Sequence, residues 1–376
     1  MQKSKRKVKN FILNLSLSFL SFILIILFLE FVVFRFIFPA SDIPENAFID
    51  GIIKFKPNQS GIFREKNEVR TKFRINSNGW NSIHKKYRIH KNKRRIAIIG
   101  DSYVEALMVD YDKSLAERIE KLSNYQFEVY RFGISGAPLS QYYYMLKKEV
   151  LQYKPDIVVF ILVHNDFDES WRYKYGRYTS CFLKLKILKN GNIIEIPPSI
   201  YKEKWYDFIR KSAIFRFLYY REKVNMNVIK NILRKNNVKY QANIQINDLK
   251  IKMKNNYLVT DYILKKIKEI SEKNGFKVLF VMDGDRNSIY KNLPDEKLYK
   301  NGALMLNLMV KKITHKYQLP FIDLHPIFKK DYKKYHHKFN YNCDFHWNEY
   351  GHNIVAKHIL NYIEKNKWFK IKYFIN

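Results

Sequence analysis

Residues 157–163, IVVFILV, constrain the fold more than any other stretch, because all seven are apolar and most are β-branched. A strand that is apolar on both faces is typical of a central parallel strand covered by helices on each side. Other apolar runs alternate with segments that carry apolar residues at helical spacing. Strands are predicted at 96–99, 127–134, 278–282 and 320–324, and helices at 115–122, 139–150, 259–270, 304–317 and 349–364. This alternation predicts a doubly wound parallel α/β sheet.

The amino terminus has the pattern of a membrane anchor. Residues 3–9 carry five positive charges, and residues 10–29 carry none. Residues 11–38 are long and apolar enough to span a bilayer as a helix. The basic tail at 1–10 predicts a cytoplasmic amino end, and so a single-pass protein with the rest on the outer face. A cleaved signal peptide is the alternative, but residues 38–41 offer no good pair of small residues for cleavage.

The remaining chain divides by composition. Residues 41–93 are punctuated by Gly and Pro and predict a lead-in of loops and short strands. Residues 94–366 hold the alternating pattern and form the predicted main domain. It is interrupted at 168–255 by a segment rich in Tyr, Trp and Lys, with helix-like stretches at 209–220 and 226–233. This insertion is either a solvated surface element or a lid over the substrate.

The net charge of +34, from 69 Lys and Arg against 35 Asp and Glu, would attract nucleic acid or other polyanions. However, the positive charge is spread along the whole chain, and the richness in Lys, Asn, Ile, Tyr and Phe is typical of an AT-rich genome. No nucleic-acid partner is therefore predicted.

Neither cofactor nor metal is predicted. Cys181 and Cys343 form no CxxC pair, so two free thiols are favoured over one bridge. His336 and His337 lack a second pair of ligands.

Polar residues follow the predicted strands in four blocks. The first is Gly100, Asp101 and Ser102; the others are FGISG around Gly136, HND around Asn165, and DFHWNEYGH with Asp344 and His346. In open α/β sheets, reacting groups gather at the carboxyl edge of the strands. Asp and Ser after a strand are also ordinary helix caps, so the first block alone decides nothing. The four blocks in this order are the informative signal.

Together the blocks resemble the SGNH, or GDSL, hydrolase family, over residues 94–364 apart from the insertion. The resemblance implies a flavodoxin-like three-layer α/β/α fold and acyl transfer through a serine ester. Ser102 would be the nucleophile, His346 its base, and Asp344 the group that holds the imidazole. The implied oxyanion donors are the backbone N–H groups of Ser102 and Gly136 and the side-chain amide of Asn165.

The chain departs from the family pattern in two places. Val163 stands where the family often has glycine, two residues before Asn165. Cys343 stands where its acid is common, three residues before His346. The sequence Asp344–Phe345–His346–Trp347 is similar to a branch of membrane-associated polysaccharide acetyltransferases, such as those acting on alginate. That similarity implies an acylated glycan as substrate.

A rival pair, Asp323 and His325, has the same spacing as Asp344 and His346. Alternation would place both on one face of a strand. The favoured interpretation is a strand-end aspartate beside a surface histidine, since the resemblance selects the later pair. His352 is interpreted as a helix-surface or packing residue.

The sequence thus predicts an outward-facing serine esterase that removes small acyl groups, acetyl above all, from cell-envelope glycans or small esters. An O-acetyltransferase supplied by a membrane acyl-donor partner shares the acyl-serine step and stays open. A non-catalytic glycan-binding protein is the third alternative.

Overall fold

The computed structural model describes residues 2–172, 176–203, 205–224, 240–242 and 244–371. The chain forms two units. The smaller comprises Met1–Ile43, Arg64–Asn67 and Lys202–Lys235, and the larger comprises Pro44–Phe63, Glu68–Tyr201 and Asn236–Asn376. The predicted helix at 226–233 lies outside the described residues.

The strands are β1 Asn46–Ile49, β2 Ile52–Phe55, β3 Ser60–Glu65, β4 Val69–Arg74, β5 Arg94–Gly100, β6 Phe127–Gly133, β7 Ile157–Leu162, β8 Lys184–Ile187, β9 Ile193–Ile196, β10 Tyr240–Gln241, β11 Ile244–Gln245, β12 Lys277–Met282 and β13 Phe321–Asp323. The α-helices are α1 Gln2–Phe28, α2 Ser102–Glu105, α3 Leu115–Leu122, α4 Leu139–Met145, α5 Trp205–Ile209, α6 Ala213–Phe215, α7 Leu249–Asn274, α8 Arg286–Tyr290, α9 Asp295–Asn301, α10 Met305–Lys316, α11 Leu324–Tyr335 and α12 Glu349–Lys365. Segments Leu29–Ile37, Leu146–Val150 and Arg216–Arg221 are π-helical, and Leu151–Tyr153, Asp168–Ser170 and Thr179–Cys181 are 3₁₀-helical.

A five-stranded parallel sheet lies at the centre of the larger unit, in the order β13-β12-β7-β5-β6. If these five strands are numbered 1 to 5 along the chain and read from the β6 edge, the order is 2-1-3-4-5, as in flavodoxin-like folds. The order reverses between β5 and β7, which pair directly from Ile96 opposite Ile157 to Ile99 opposite Phe160. Ligands in such folds bind beyond the carboxyl ends of the strands at this switch point. Ser102 follows β5 and Asn165 follows β7, so the sheet brings two of the four blocks to that place.

Helices cover both faces of the sheet, which confirms the predicted parallel three-layer fold. On one face, alternate apolar residues of β5, β6, β7 and β12 pack against α3, α11 and α12. On the other, α4 contacts β5, α7 contacts β12, and α10 contacts β13. Every residue of β7 is buried, as expected for a strand apolar on both faces.

Within the larger unit, a buried polar contact joins the lead-in to the α/β layers. Lys54 on β2 lies 3.1 Å from a carboxylate oxygen of Glu149, and the Trp80 indole N–H donates to the other oxygen at 3.0 Å. The side chains of Lys54 and Glu149 are 5% and 1% exposed. A buried charge pair satisfied in this way fixes the lead-in against the helix that follows β6.

Some predicted helices differ in the structure. The helix predicted at 139–150 begins as α4, but widens into a π-helical turn at Leu146–Val150. The stretch predicted at 209–220 is broken into α5, α6 and the π-helical segment Arg216–Arg221. Helix α7 starts at Leu249, inside the predicted insertion at 168–255.

The smaller unit contains the predicted anchor. Residues Arg6–Ile37 form a helix long and apolar enough to span a membrane by length and composition, and its side chains are not buried within the molecule. Residues 202–224 of the predicted insertion belong to this unit, whereas residues 176–201 belong to the larger one. The insertion is therefore two separate structural parts.

Candidate active site

Ser102 is the first residue of α2, directly after β5. Its neighbour Asp101 caps that helix, because its carboxylate accepts a hydrogen bond from the Tyr103 N–H at 2.9 Å. The cap predicted from the sequence therefore exists, but it is Asp101 that fills it. Ser102 Oγ is left 2.7 Å from His346 Nε2 and 3.4 Å from Asp101 Oδ2.

His346 links Ser102 to Asp344, on a loop 242 residues further along the chain. Its Nδ1 lies 2.5 Å from Asp344 Oδ1, and the same oxygen accepts the backbone N–H of His346 at 2.7 Å. Because a carboxylate only accepts hydrogen bonds, Nδ1 carries the proton and Nε2 is free to accept from Ser102. The Asp344 and His346 side chains are 10% and 22% exposed, so substrate can reach the site.

The three predicted oxyanion donors lie at the carboxyl ends of β5, β6 and β7. In the described part of the chain, no hydrogen bond is formed by the backbone N–H of Ser102, the backbone N–H of Gly136 or the side-chain amide of Asn165. Asn165 lines a small cavity with Tyr103 and Phe345, which flank Ser102 and His346 in sequence. Gly136 has a φ of +73°, and a Cβ built there would meet nothing within 4 Å.

Glu105 joins the first two blocks. Its carboxylate accepts the Ser135 N–H at 2.5 Å, one residue before Gly136. Gly133 packs against the backbone of Glu105, since a Cβ added at Gly133 would be 2.1 Å from the Glu105 backbone nitrogen. Glu105 is buried, and burial raises its pKa to about 7.

Two further buried carboxyl groups lie at the strand ends. Burial raises the pKa of Asp101 to about 6. It also raises the pKa of Asp166 well above its ordinary value. Asp166 accepts the Val163 N–H at 2.8 Å and the Tyr142 hydroxyl at 3.0 Å, which fixes the loop that carries Asn165. Val163 itself is buried in the apolar cluster on one face of the sheet.

Arg286 is a site residue that the sequence analysis missed. Its guanidinium donates to the Tyr103 hydroxyl and to the Phe345 carbonyl, both at 2.6 Å, and lies 3.3 Å from Asp283. Asp283 in turn accepts the Trp347 indole N–H at 3.0 Å. These contacts hold the loop on both sides of His346. The available signal was Asp283–Arg286 directly after β12, at the same sheet edge as the other blocks.

The rival pair has a different arrangement. Asp323 caps α11 by accepting the backbone N–H of His325 at 3.0 Å, while the His325 ring lies 3.3 Å from Asp295. His325 is 1% exposed, so its interpretation as a surface histidine is wrong. His352 is buried, and burial lowers its pKa to about 3; its Nδ1 accepts the Leu115 N–H at 3.2 Å. It is a packing residue rather than a surface one.

Cys181 and Cys343 form no disulfide; Cys181 is buried and Cys343 is partly exposed. Among the described residues, no group of three or more His, Cys, Asp or Glu side chains could hold a metal ion. Within the described part of the chain, His336 and His337 therefore belong to no such group.

No family model and no curated protein matches this chain. Solved structures are similar to it. The acetyl xylan esterase AlAXEase is 14% identical with a TM-score of 0.40, over 72% of this chain and 99% of its own. An acetylxylan esterase from Geobacillus stearothermophilus, solved as a catalytic mutant, is 11% identical with a TM-score of 0.40, over 73% and 96%. A two-domain esterase active on acetylated mannans is 14% identical with a TM-score of 0.39, over 76% and 52%.

Proposed function

We propose that this chain is a serine esterase, anchored in the membrane, that removes small acyl groups from cell-envelope glycans on the outer face. The observation that carries the proposal is the continuous chain of contacts from Ser102 Oγ through the His346 ring to Asp344. Serine is a weak nucleophile until a base takes its proton, and neutral imidazole in the correct tautomer can do so.

In the proposed reaction, Ser102 Oγ attacks the acyl carbonyl carbon while its proton passes to His346 Nε2. The carbonyl oxygen becomes an oxyanion, for which the backbone N–H groups of Ser102 and Gly136 and the side-chain amide of Asn165 are the candidate donors. The bond to the sugar oxygen then breaks, and His346 returns the proton to that oxygen. The acyl group remains on Ser102. His346 Nε2 then takes a proton from a water molecule, whose oxygen adds to the acyl carbon. The bond from that carbon to Ser102 Oγ breaks as His346 returns the proton to Oγ, so the carboxylic acid is released and the serine hydroxyl is restored.

Asp344 has a defined part in these steps. Its oxygen holds both the ring and the backbone N–H of His346, so it fixes the tautomer and stabilises the imidazolium that forms after proton transfer. The glycan substrate is supported by the resemblance of the Asp344–Trp347 sequence. The outer location is supported by the basic tail before the helix Arg6–Ile37.

The test is hydrolysis of para-nitrophenyl acetate, and of acetate from an acetylated polysaccharide, by the full chain in lipid nanodiscs. We expect Ser102→Ala and His346→Gln to lower kcat at least about 10⁴-fold. His325→Gln, a buried histidine outside the site, is the matched control and should retain activity. If Ser102→Ala hydrolyses both esters as wild type does, the proposal is wrong. If an added sugar hydroxyl takes the acyl group faster than water does, the enzyme is a transferase with the same acyl-serine step.

A further inference from the structure

The smaller unit contains a carboxylate in an otherwise apolar part of the helix Arg6–Ile37. Glu30 accepts hydrogen bonds from Ser212 Oγ at 2.8 Å, from the Ala213 N–H at 2.7 Å and from the Ile214 N–H at 3.0 Å. Those N–H groups open α6, whose N-cap residue is Ser212, so Glu30 binds the start of a helix that begins 183 residues further along the chain. A carboxylate at the first free amides of a helix is favourable, and it attaches this segment to the anchor.

The length of the anchor places this contact at a definite depth. Residues 10–29 contain no charge and rise about 30 Å as a helix, which matches the hydrocarbon thickness of a bilayer. Glu30 is the next residue, so it falls at the boundary between acyl chains and headgroups. The end of the helix, with Arg35, continues into the headgroup region.

Further contacts keep residues 216–221 beside this end of the anchor. The Phe217 and Phe34 rings stack with centroids 4.3 Å apart. Arg221 donates to the Pro39 carbonyl at 2.8 Å, and Arg216 lies 2.9 Å from the Asp42 carboxylate. The segment therefore follows the anchor from Glu30 to Asp42 rather than touching it at one point.

The composition and exposure of this segment suit the interface between lipid and water. Residues 205–224 contain seven aromatic residues and five Lys or Arg against two acidic residues. Phe208 is 75% exposed, and Leu218, Tyr219 and Val224 are also exposed. Aromatic and basic side chains are enriched where acyl chains meet headgroups. In the anchor, Phe31 and Phe36, which lie close in sequence to its contacts with this segment, are exposed as well.

We infer that residues 205–224 form an interfacial membrane element, which lies in the outer headgroup region and buries its exposed apolar side chains among the lipids. This goes beyond the proposed esterase activity, and rests only on the proposal that Arg6–Ile37 spans the membrane. The occupant proposed for the exposed apolar side chains is lipid, because residues 212–221 contact the anchor between Glu30 and Asp42, where the anchor leaves the hydrocarbon region. The segment is thus neither a solvated insertion nor a lid.

The test measures the depth of single spin labels in the full chain, in nanodiscs that hold one copy each. Cys181→Ser and Cys343→Ser remove the two native cysteines, so that only the introduced cysteine is labelled. Labels are placed by Phe208→Cys and Leu218→Cys. Leu20→Cys in the anchor is the lipid reference, and Ile194→Cys, an exposed residue of β9, is the matched aqueous control. Collision with oxygen, which partitions into lipid, is compared with collision with a water-soluble nickel chelate.

We expect the ratio of oxygen to nickel accessibility at positions 208 and 218 to exceed that at 194 several-fold, and to approach that at 20. Ratios equal to that at 194, with position 20 still shielded, would overturn the inference while leaving the anchor intact. Nickel access at position 20 as well would show that the anchor does not insert. Shielding that appears only in discs with two copies would identify a second chain as the occupant and also overturn the inference.

Glu30 provides a second measurement of the same inference. Glu30→Gln keeps an oxygen that can accept from the first turn of α6, so the label at 218 should stay immobile and shielded. Glu30→Leu keeps an apolar anchor but removes every acceptor, so that label should become more mobile and more accessible to nickel. Equal spectra for the two variants would show that the cap does not hold the segment at the membrane.

Discussion

Asp344 shows how much of the proposed chemistry depends on one oxygen atom. Oδ1 accepts both the ring N–H and the backbone N–H of His346. In Asp344→Asn the amide can still accept one hydrogen bond, but it no longer enforces the tautomer or stabilises the imidazolium. We expect kcat for para-nitrophenyl acetate to fall on the order of 10³–10⁴-fold, with little change in KM. Asp323→Asn, at the rival pair, should leave kcat near wild type; equal losses in both variants would contradict the assignment.

Glu105 gives the larger unit a pH-dependent stability. Because burial raises its pKa from 4.5 to about 7, the folded protein binds a proton there that the unfolded chain releases at lower pH. The free energy of unfolding therefore falls as pH rises through this window, by about 3 kcal/mol in total for a shift from 4.5 to about 7. The stabilising effect of the protonated form is complete below pH 4.5 and lost above pH 7.

Glu105→Gln should remove this dependence, because the amide oxygen can still accept the Ser135 N–H without ionising. We expect the melting temperature of wild type to drop more between pH 5 and pH 8 than that of the variant, by several degrees. Asp101 contributes in the same direction in both proteins, since burial raises its pKa to about 6. Scanning fluorimetry at both pH values measures the difference. Parallel curves for the two proteins would mean that Glu105 does not titrate in this range.

At the scale of elements, the turn after β6 contains two glycines with opposite requirements. A Cβ on Gly133 would lie 2.1 Å from the Glu105 backbone nitrogen, so Gly133→Ala must push α2 away from the sheet. Gly136 needs only its positive φ, and its Cβ direction is open. We expect Gly136→Ala to cost about 1–2 kcal/mol of unfolding free energy. Gly133→Ala should cost clearly more and should displace Ser102. Chemical denaturation of both variants measures this order, and the reverse order would contradict it.

Helices and strands with a buried apolar face could be predicted from the sequence. Features that depend on contacts between residues far apart in the sequence could not. Strand β7 and helix α12 were predicted almost to the residue because their apolar positions report burial directly. Ser102, Asn165 and His346 could be proposed from the sequence because each belongs to a recognisable block. Arg286 was not, because its role depends on contacts with Tyr103 and Phe345 that no local pattern records. The division of the insertion at 168–255 was hidden for the same reason, since the contact between Glu30 and Ser212 joins segments 182 residues apart.

At the scale of the whole molecule, the proposed chemistry and the proposed membrane attachment fall in different units. Every residue of the candidate site, from Ser102 to His346, lies in the larger unit, whereas the anchor and residues 202–224 lie in the smaller one. The chemistry is therefore expected to be separable from the membrane helix. Removing that helix would not remove all of the proposed membrane-binding surface, because residues 205–224 would keep their aromatic and apolar side chains.

A chain shortened to begin at Ser41 tests this division. It lacks Glu30, Phe34 and Pro39, the partners of α6 and of the segment after it. We expect it to hydrolyse para-nitrophenyl acetate with a kcat near that of the full chain. It should nevertheless float with lipid vesicles, because the apolar side chains of residues 205–224 are left without their partners on the anchor.

Phe208→Ser with Leu218→Ser in the shortened chain should weaken vesicle binding several-fold and leave kcat unchanged. Ile194→Ser is the matched control at an equally exposed apolar residue of the larger unit, and should change neither. Flotation with vesicles of neutral and of anionic lipid separates the two contributions, since the basic residues add binding only on anionic lipid. A shortened chain that is active and stays in solution with both kinds of vesicle would mean that residues 205–224 have no affinity of their own for the bilayer. In that case the anchor alone would hold the enzyme at the membrane.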